Sequence, residues 1–175
     1  TSVSGPSGAQ TVNIVGEVVW DEGFIAGKAW KSRPDSSLAV ADAGNFERDQ
    51  PFAFGAWVYL PDNKVTGSLL ARMDDGHDFR GWDLWIEQGK VGAHIIHKWP
   101  DDALKVVAGD PLPANRWTHV MVTYDGSSKA AGVKIYVDGV LEYSGDLLAD
   151  SVVTQLAGLG VTSGQSGALS TYLNG

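Results

Sequence analysis

Phe52-Ala-Phe-Gly-Ala-Trp-Val-Tyr-Leu60 is the stretch on which the fold class turns. It carries four aromatic side chains, no charge and no proline. By the two-residue period of a strand, Phe52, Phe54, Ala56, Val58 and Leu60 share one face, and Gly55, Trp57 and Tyr59 share the other. Aromatics on both faces predict a strand covered on both, with Trp57 in the core. Outward from it, Gly67–Arg72, Trp82–Glu87, Lys90–His97, Trp117–Tyr124 and Val133–Val137 read as further strands, and Trp117 is again expected to be core. Turn residues separate these runs at intervals of about 8–12 residues, the pattern of a sandwich or barrel. Gln88-Gly89 and Asp138-Gly139 are two-residue hairpin signals, the second of the type I′ kind. Gly27–Lys31 and Ser37–Ala41 read as short strands on either side of Pro34-Asp35. Leu148, Val152, Leu156 and Leu159 lie at helical spacing. The β-branched Val152-Val153-Thr154 and the nearby Gly158 argue against a helix there, so Leu148–Gly160 reads as strand or irregular chain.

The 175 residues hold 22 Gly and no Cys, which excludes disulfides, thiolate nucleophiles and cysteine-based metal sites. Thirteen Lys and Arg against 21 Asp and Glu give a formal net charge of −8. An acidic chain without a basic stripe repels phosphate backbones, so no nucleic-acid partner is expected. The longest apolar stretches are a few residues, far short of the roughly 20 that a membrane helix needs, so no membrane insertion is expected. No charged-then-apolar leader opens the chain, and any export signal is expected to have been removed or to lie outside it. There is no internal repeat and no splitting linker. The expected organisation is a flexible N-terminal segment over residues 1–10 and one domain over residues 11–175.

Three strings carry a family resemblance: Phe52-Ala-Phe-Gly-Ala-Trp-Val, Trp117-Thr-His-Val-Met-Val-Thr-Tyr-Asp-Gly, and Val133-Lys-Ile-Tyr-Val-Asp-Gly. Over roughly Trp20 to Gly175 the chain resembles the laminin-G-like, concanavalin A-like lectin/glucanase superfamily. Trp82-Asp-Leu-Trp with His94-Ile-Ile-His-Lys-Trp-Pro-Asp-Asp is similar to a bacterial subgroup found in large planctomycete-type surface or periplasmic proteins. The resemblance implies an all-β fold, a jelly-roll sandwich of two antiparallel sheets. It also implies a secreted, periplasmic or cell-surface location. Relatives of this kind often carry one Ca²⁺. They usually finish on a strand that returns to the middle of a sheet, whereas this sequence stops at Tyr172-Leu-Asn-Gly175. The expectation is therefore a domain lacking that strand, closed by the Thr11–Val19 region or by another molecule.

The same fold houses glycoside hydrolases and polysaccharide lyases, so activity has to be read from side chains. Hydrolysis of the laminarinase kind needs carboxylates on one strand face, spaced Glu-x-Asp-x-x-Glu. Glu47 and Asp49 are the only acidic pair two apart, and they sit in a loop-like segment. Asp83 and Glu87 share a strand face but stand about 13 Å apart at ~3.3 Å per residue, beyond the ~5–9.5 Å of glycosidase carboxyl pairs. His94, His97, Tyr124 and Arg80 are the residue types of a lyase without its characteristic strings. Catalytic residues are therefore expected to be none, and no cofactor is required. The dense acidic loop Asp74-Asp-Gly-His-Asp78 offers Asp74, Asp75 and Asp78 as weak Ca²⁺ candidates against the 6–8 ligands the ion takes. The alternative is a solvated turn. His94 and His97, three apart on a strand, point to opposite faces and do not chelate one ion together.

The aromatics are the strongest functional signal. Trp82, Trp85 and Trp99 fall within 18 residues, alongside Asp83, His94, His97, Lys98, Asp101 and Asp102. Apolar ring faces beside a few fixed polar groups are what a groove for a glycan or a protein surface is made of. Of Trp82 and Trp85, the two-residue period allows one to face such a groove. Pro100 holds Trp99 extended, at the tip of a loop spanning Lys98 to Ala103. The expected ligand-binding set is Trp82, Asp83, Trp85, His94, His97, Trp99, Asp101 and Asp102. The expected function is a non-catalytic binding module, against the alternatives of a polysaccharide-degrading enzyme or a structural assembly domain.

Overall fold

A computed structural model describes residues 2–5, 8–40 and 43–142. The Leu148–Gly160 segment and the terminal Tyr172–Gly175 lie outside the described residues. In chain order the strands are β1 (Ser2–Gly5), β2 (Gly8–Val15), β3 (Val19–Glu22), β4 (Lys28–Lys31), β5 (Ser37–Val40), β6 (Phe52–Tyr59) and β7 (Gly67–Asp74). They continue with β8 (Arg80–Glu87), β9 (Lys90–Lys98), β10 (Asp102–Pro111), β11 (Trp117–Tyr124), β12 (Val133–Val137) and β13 (Val140–Leu141). A single 3-10 turn at Ala130–Gly132 is the only helical piece among them.

Two four-stranded antiparallel sheets form a sandwich, in the orders β13-β12-β11-β6 and β10-β9-β8-β7. Inward residues alternate along each strand. Thr118, Val120, Val122 and Tyr124 are buried on β11, and Trp82, Leu84 and Ile86 on β8. With Val91, Ala93 and Ile95 of β9 and Leu104, Val106 and Ala108 of β10, all of these but Thr118 belong to one hydrophobic cluster. Each fully buried aliphatic of this kind contributes roughly 1.5–3 kcal/mol of transfer free energy. Both expected hairpins are present. Gln88 and Gly89 have φ of 51° and 77°, and Asp138 and Gly139 have 48° and 82°, the left-handed pair that a type I′ turn requires.

Trp82 lies inside this core at 3% exposure. Its ring stacks on Phe54 at 4.3 Å, and its indole N–H donates to Gly44 O at 2.9 Å. Phe46, on the same incoming segment, stacks on Phe52 at 4.3 Å and tilts against Trp82. Arg72, also buried, donates to Ala43 O at 2.9 Å. Residues 43–46 thus close one end of the sandwich, using backbone carbonyls to satisfy two polar groups that burial would otherwise strand.

Three features differ from the sequence expectations. Asp102–Pro111 is a strand, so the connection after β9 is shorter than the expected loop over residues 98–103. Asp, Ala, Gly and Pro at its two ends weaken the β signal of its centre, Leu104-Lys-Val-Val107. The opposite face of β6 is open: Trp57 is 41% exposed and Tyr59 is also exposed, while Trp117 beside them is half-buried on the outer face of β11. Strand parity places these rings outward, and ring-to-ring contacts (Tyr59 with Trp117, Trp57 with His119) shelter them in part. Finally, β2, which takes in the first part of the Thr11–Val19 region expected to close a sheet, pairs with β1 and β5 in a separate three-stranded sheet. That pairing also takes in residues 2–5 and 8–10, which composition alone reads as a flexible lead-in.

Replacing the two tryptophans of opposite parity separates these environments. Trp82→Ala is expected to destabilise the domain by about 3–5 kcal/mol, the scale of a deleted core aromatic. Trp57→Ala is expected to cost less than about 1 kcal/mol, as surface changes do. Urea titration followed by circular dichroism measures both.

Candidate functional site

The β8–β9 hairpin builds the site. Register runs Glu87↔Lys90, Trp85↔Gly92 and Asp83↔His94, and continues across the sheet as Ala71↔Asp83 and Lys105↔His94. The outer face of the β7–β10 sheet therefore carries a row Ala71, Asp83, His94, Lys105. One step along it lies Met73, Gly81, Ile96, Ala103. Gly81 leaves a gap in that second row, and nothing else fits there. Its φ is 140°, and an added Cβ would stand 1.8 Å from the Arg72 carbonyl oxygen.

The gap forms a depression of about 200 Å³, lined by Met73, Phe79, Asp83, His94, Ile96 and Trp99. Two turns rim it. Phe79 comes from the β7–β8 turn, where Asp78 and Phe79 both take left-handed φ of 54° and 60°. A bulky residue in that region is strained and persists because its surroundings hold it. Trp99 comes from the β9–β10 turn, and its N–H donates to Asp78 O at 3.0 Å, tying the two rims together.

At the base, Asp83 Oδ1 accepts from both the His94 backbone N–H (3.0 Å) and Nδ1 (2.9 Å). The side chains are 11% and 15% exposed. Holding Nδ1–H against a carboxylate leaves Nε2 of the neutral ring as an acceptor. That nitrogen is buried without a hydrogen-bond partner, an arrangement that costs roughly 1–3 kcal/mol. Trp85 stacks on His94 at 5.2 Å and 15°, and Trp99 meets it edge-on at 5.2 Å and 78°. The Lys105 ammonium lies 5.1 Å from the centre of the Trp85 ring, a cation–π contact. Gly92 makes room for that indole, because a Cβ there would stand 2.3 Å from two ring carbons.

Of the residues singled out in the sequence, Asp83, Trp85, His94 and Trp99 come together. Trp82 does not; it is in the core. His97 and Asp102 pair with each other at 2.8 Å, at the bulge where the β9–β10 register shifts between Asp102 and Ala103. Asp101 is exposed on the turn. The Asp74 carboxylate is engaged within its own turn, accepting from Gly76 N and pairing with His77 at 2.9 Å. Asp75 and Asp78 are exposed beside it. Among the described residues no three His, Cys, Asp or Glu side chains form a group that could hold a metal ion. Tyr124 faces the core, donating to Arg48 O at 2.6 Å and accepting from Ser128 N at 2.8 Å, so it does not join His94 in a lyase-like set. Among the described residues lining the depression, Asp83 is the one carboxylate. Met73, Phe79 and Ile96 were not legible as site residues. Strand parity with the register in hand finds Met73 and Ile96, but no sequence signal marked Phe79.

Strand order and register define an antiparallel two-sheet β-sandwich domain. The family model of the concanavalin A-like lectin/glucanases superfamily, in its laminin G form, matches residues 32–175, and the chain belongs to that family. No curated protein matches it in sequence. Among solved structures, the botulinum neurotoxin serotype G binding domain is 14% identical with a TM-score of 0.66, over 97% of this chain and 40% of that one. The botulinum neurotoxin DC binding domain, solved in complex with rat synaptotagmin II, is 12% identical with a TM-score of 0.57, over 94% of this chain and 39% of that one. At these identities the likeness is one of fold, and the chain spans 40% or less of the length of either structure.

Gly92→Ala tests the packing beneath the site. The new methyl is expected to lift Trp85 off His94 and to cost about 1–3 kcal/mol as overpacking does. Loss of the ring-current shift on the His94 ring protons in an NMR spectrum checks it.

Proposed function

We propose that this domain is a non-catalytic binding module of an exported bacterial protein, and that its ligand docks in the depression between Phe79 and Trp99. The observation that carries the reading is the convergence of Asp83, His94 and Trp99 around a concave space on one sheet face, with Trp85 stacked on His94 beside it. Such a space, apolar-walled with few polar groups, is the usual form of a small recognition site. A rigid sheet holds the polar pair, and two short tied turns hold the rings, so little ordering is left to the moment of binding. Support also comes from the neurotoxin domains of the same fold, which are binding domains, one of them seen with a protein partner. Between a glycan and a protein surface, the flat ring of Trp99 beside a buried carboxylate favours a glycan. Sugar rings present C–H faces to aromatics and hydroxyls to acceptors.

A glycan array read beside a reducing-sugar assay tests the function: binding without release of reducing ends is expected, and release overturns the non-catalytic reading. Trp99→Ala is expected to weaken binding by ~1–3 kcal/mol, the scale of one stacked aromatic, with the melting temperature nearly unchanged. A fall in melting temperature with undiminished binding would remove Trp99 from the site.

A further inference from the structure

We propose that the depression selects ligands by charge: it takes a neutral or amino-substituted pyranose and rejects uronic acids and sulfated sugars. This rests on the glycan reading above and narrows it. Among the described lining residues the one charged side chain is the Asp83 carboxylate, beside the neutral indole N–H of Trp99. Asp83 Oδ1 already receives two N–H groups, both from His94, which leaves Oδ2 for the ligand. The other ring nitrogen of His94, Nε2, is buried without a partner, with the Trp99 ring edge-on against the imidazole. The backbone N–H of His94, which could have served an anion, is turned to Asp83. No Lys or Arg is among the six lining residues. Lys105, in register with His94, lies on the far side of it from Asp83 with its ammonium over Trp85.

A carboxylate or sulfate entering this space would meet Asp83 with no cationic side chain among the described lining residues. Met73, Phe79, Ile96 and Trp99 would strip its water. Like charges brought together under desolvation repel strongly, and the net charge of −8 adds to the field. A hydroxyl reverses each of these terms, giving its proton to Asp83 Oδ2 and bringing no charge into the space. An amine gives the same donors with a favourable charge. The volume of about 200 Å³ falls below the ~300 Å³ at which drug-sized pockets begin, so one ring enters and the rest of the chain stays outside.

The test uses the intact domain and three β-1,4-linked oligomers on one ring frame, of glucose, glucosamine and glucuronic acid, by isothermal titration calorimetry. Glucose and glucosamine oligomers are expected to bind at least about tenfold more tightly than the glucuronic acid oligomer. In Asp83→Asn, checked for an unchanged melting curve, that gap is expected to shrink to within about threefold, as the charge that excludes the anion is gone. The wild-type comparison stands by itself if the variant fails to fold. Glucuronic acid binding as tightly as glucose overturns this selectivity and leaves the glycan reading in place. No binding by any of the three overturns both.

Discussion

The type I′ turn at Gln88-Gly89 fixes the register of β8 against β9, and nearly everything of functional interest depends on that register. Counting back from the turn places Asp83 opposite His94 and Trp85 opposite Gly92. A slip of one residue would turn Asp83 and Trp85 into the core and Leu84 and Ile86 out into water. The buried aliphatics of both strands therefore hold the polar pair in place. The stability of the sandwich and the geometry of the site are set by the same alternation, read on its two faces.

That alternation also sorts the tryptophans. Trp82 and Trp85 are three apart and fall on opposite sides of one strand. The first stacks on Phe54 and hydrogen-bonds to Gly44, and the second lies over Gly92 against His94. Two glycines do complementary work on the outer face. Gly92 admits an indole, and Gly81 leaves a gap that the turns at Phe79 and Trp99 then wall in. His94 is held from three directions by Asp83, Trp85 and Trp99, which suits a group that must present one atom in one direction.

The architecture was legible because β6, β8, β9, β11 and β12 announce themselves by period-two patterning, β-branched and aromatic content and glycine turns. β10 was missed because its two ends are poor in strand formers and its membership is conferred by the neighbour it pairs with. The site was half legible. Parity shows that Asp83 and Trp85 share a face, but only register brings His94 to them. Trp82 and the His97–Asp102 pair entered the expected set on sequence proximity, which says nothing about the face a side chain takes. Phe79 is a matter of turn conformation: two consecutive left-handed residues carry its ring to the rim, at positions where sequence rules place glycine or asparagine. The openness of Trp57 and Tyr59 was hidden for a related reason. Composition makes an aromatic look buried, whereas cover depends on what the rest of the chain lays over that face.

The central claim, that ligand meets the outer face of the β7–β10 sheet through His94 and its rings, is tested most directly by NMR. The seven tryptophan indole N–H signals can be assigned by substitution and followed as a bound glycan is titrated in. The account predicts that the Trp99 and Trp85 signals shift while that of Trp82, hydrogen-bonded in the core, stays still. Shifts confined to Trp57 and Trp117, with Trp85 and Trp99 unmoved, would place the ligand on the opposite sheet and contradict it.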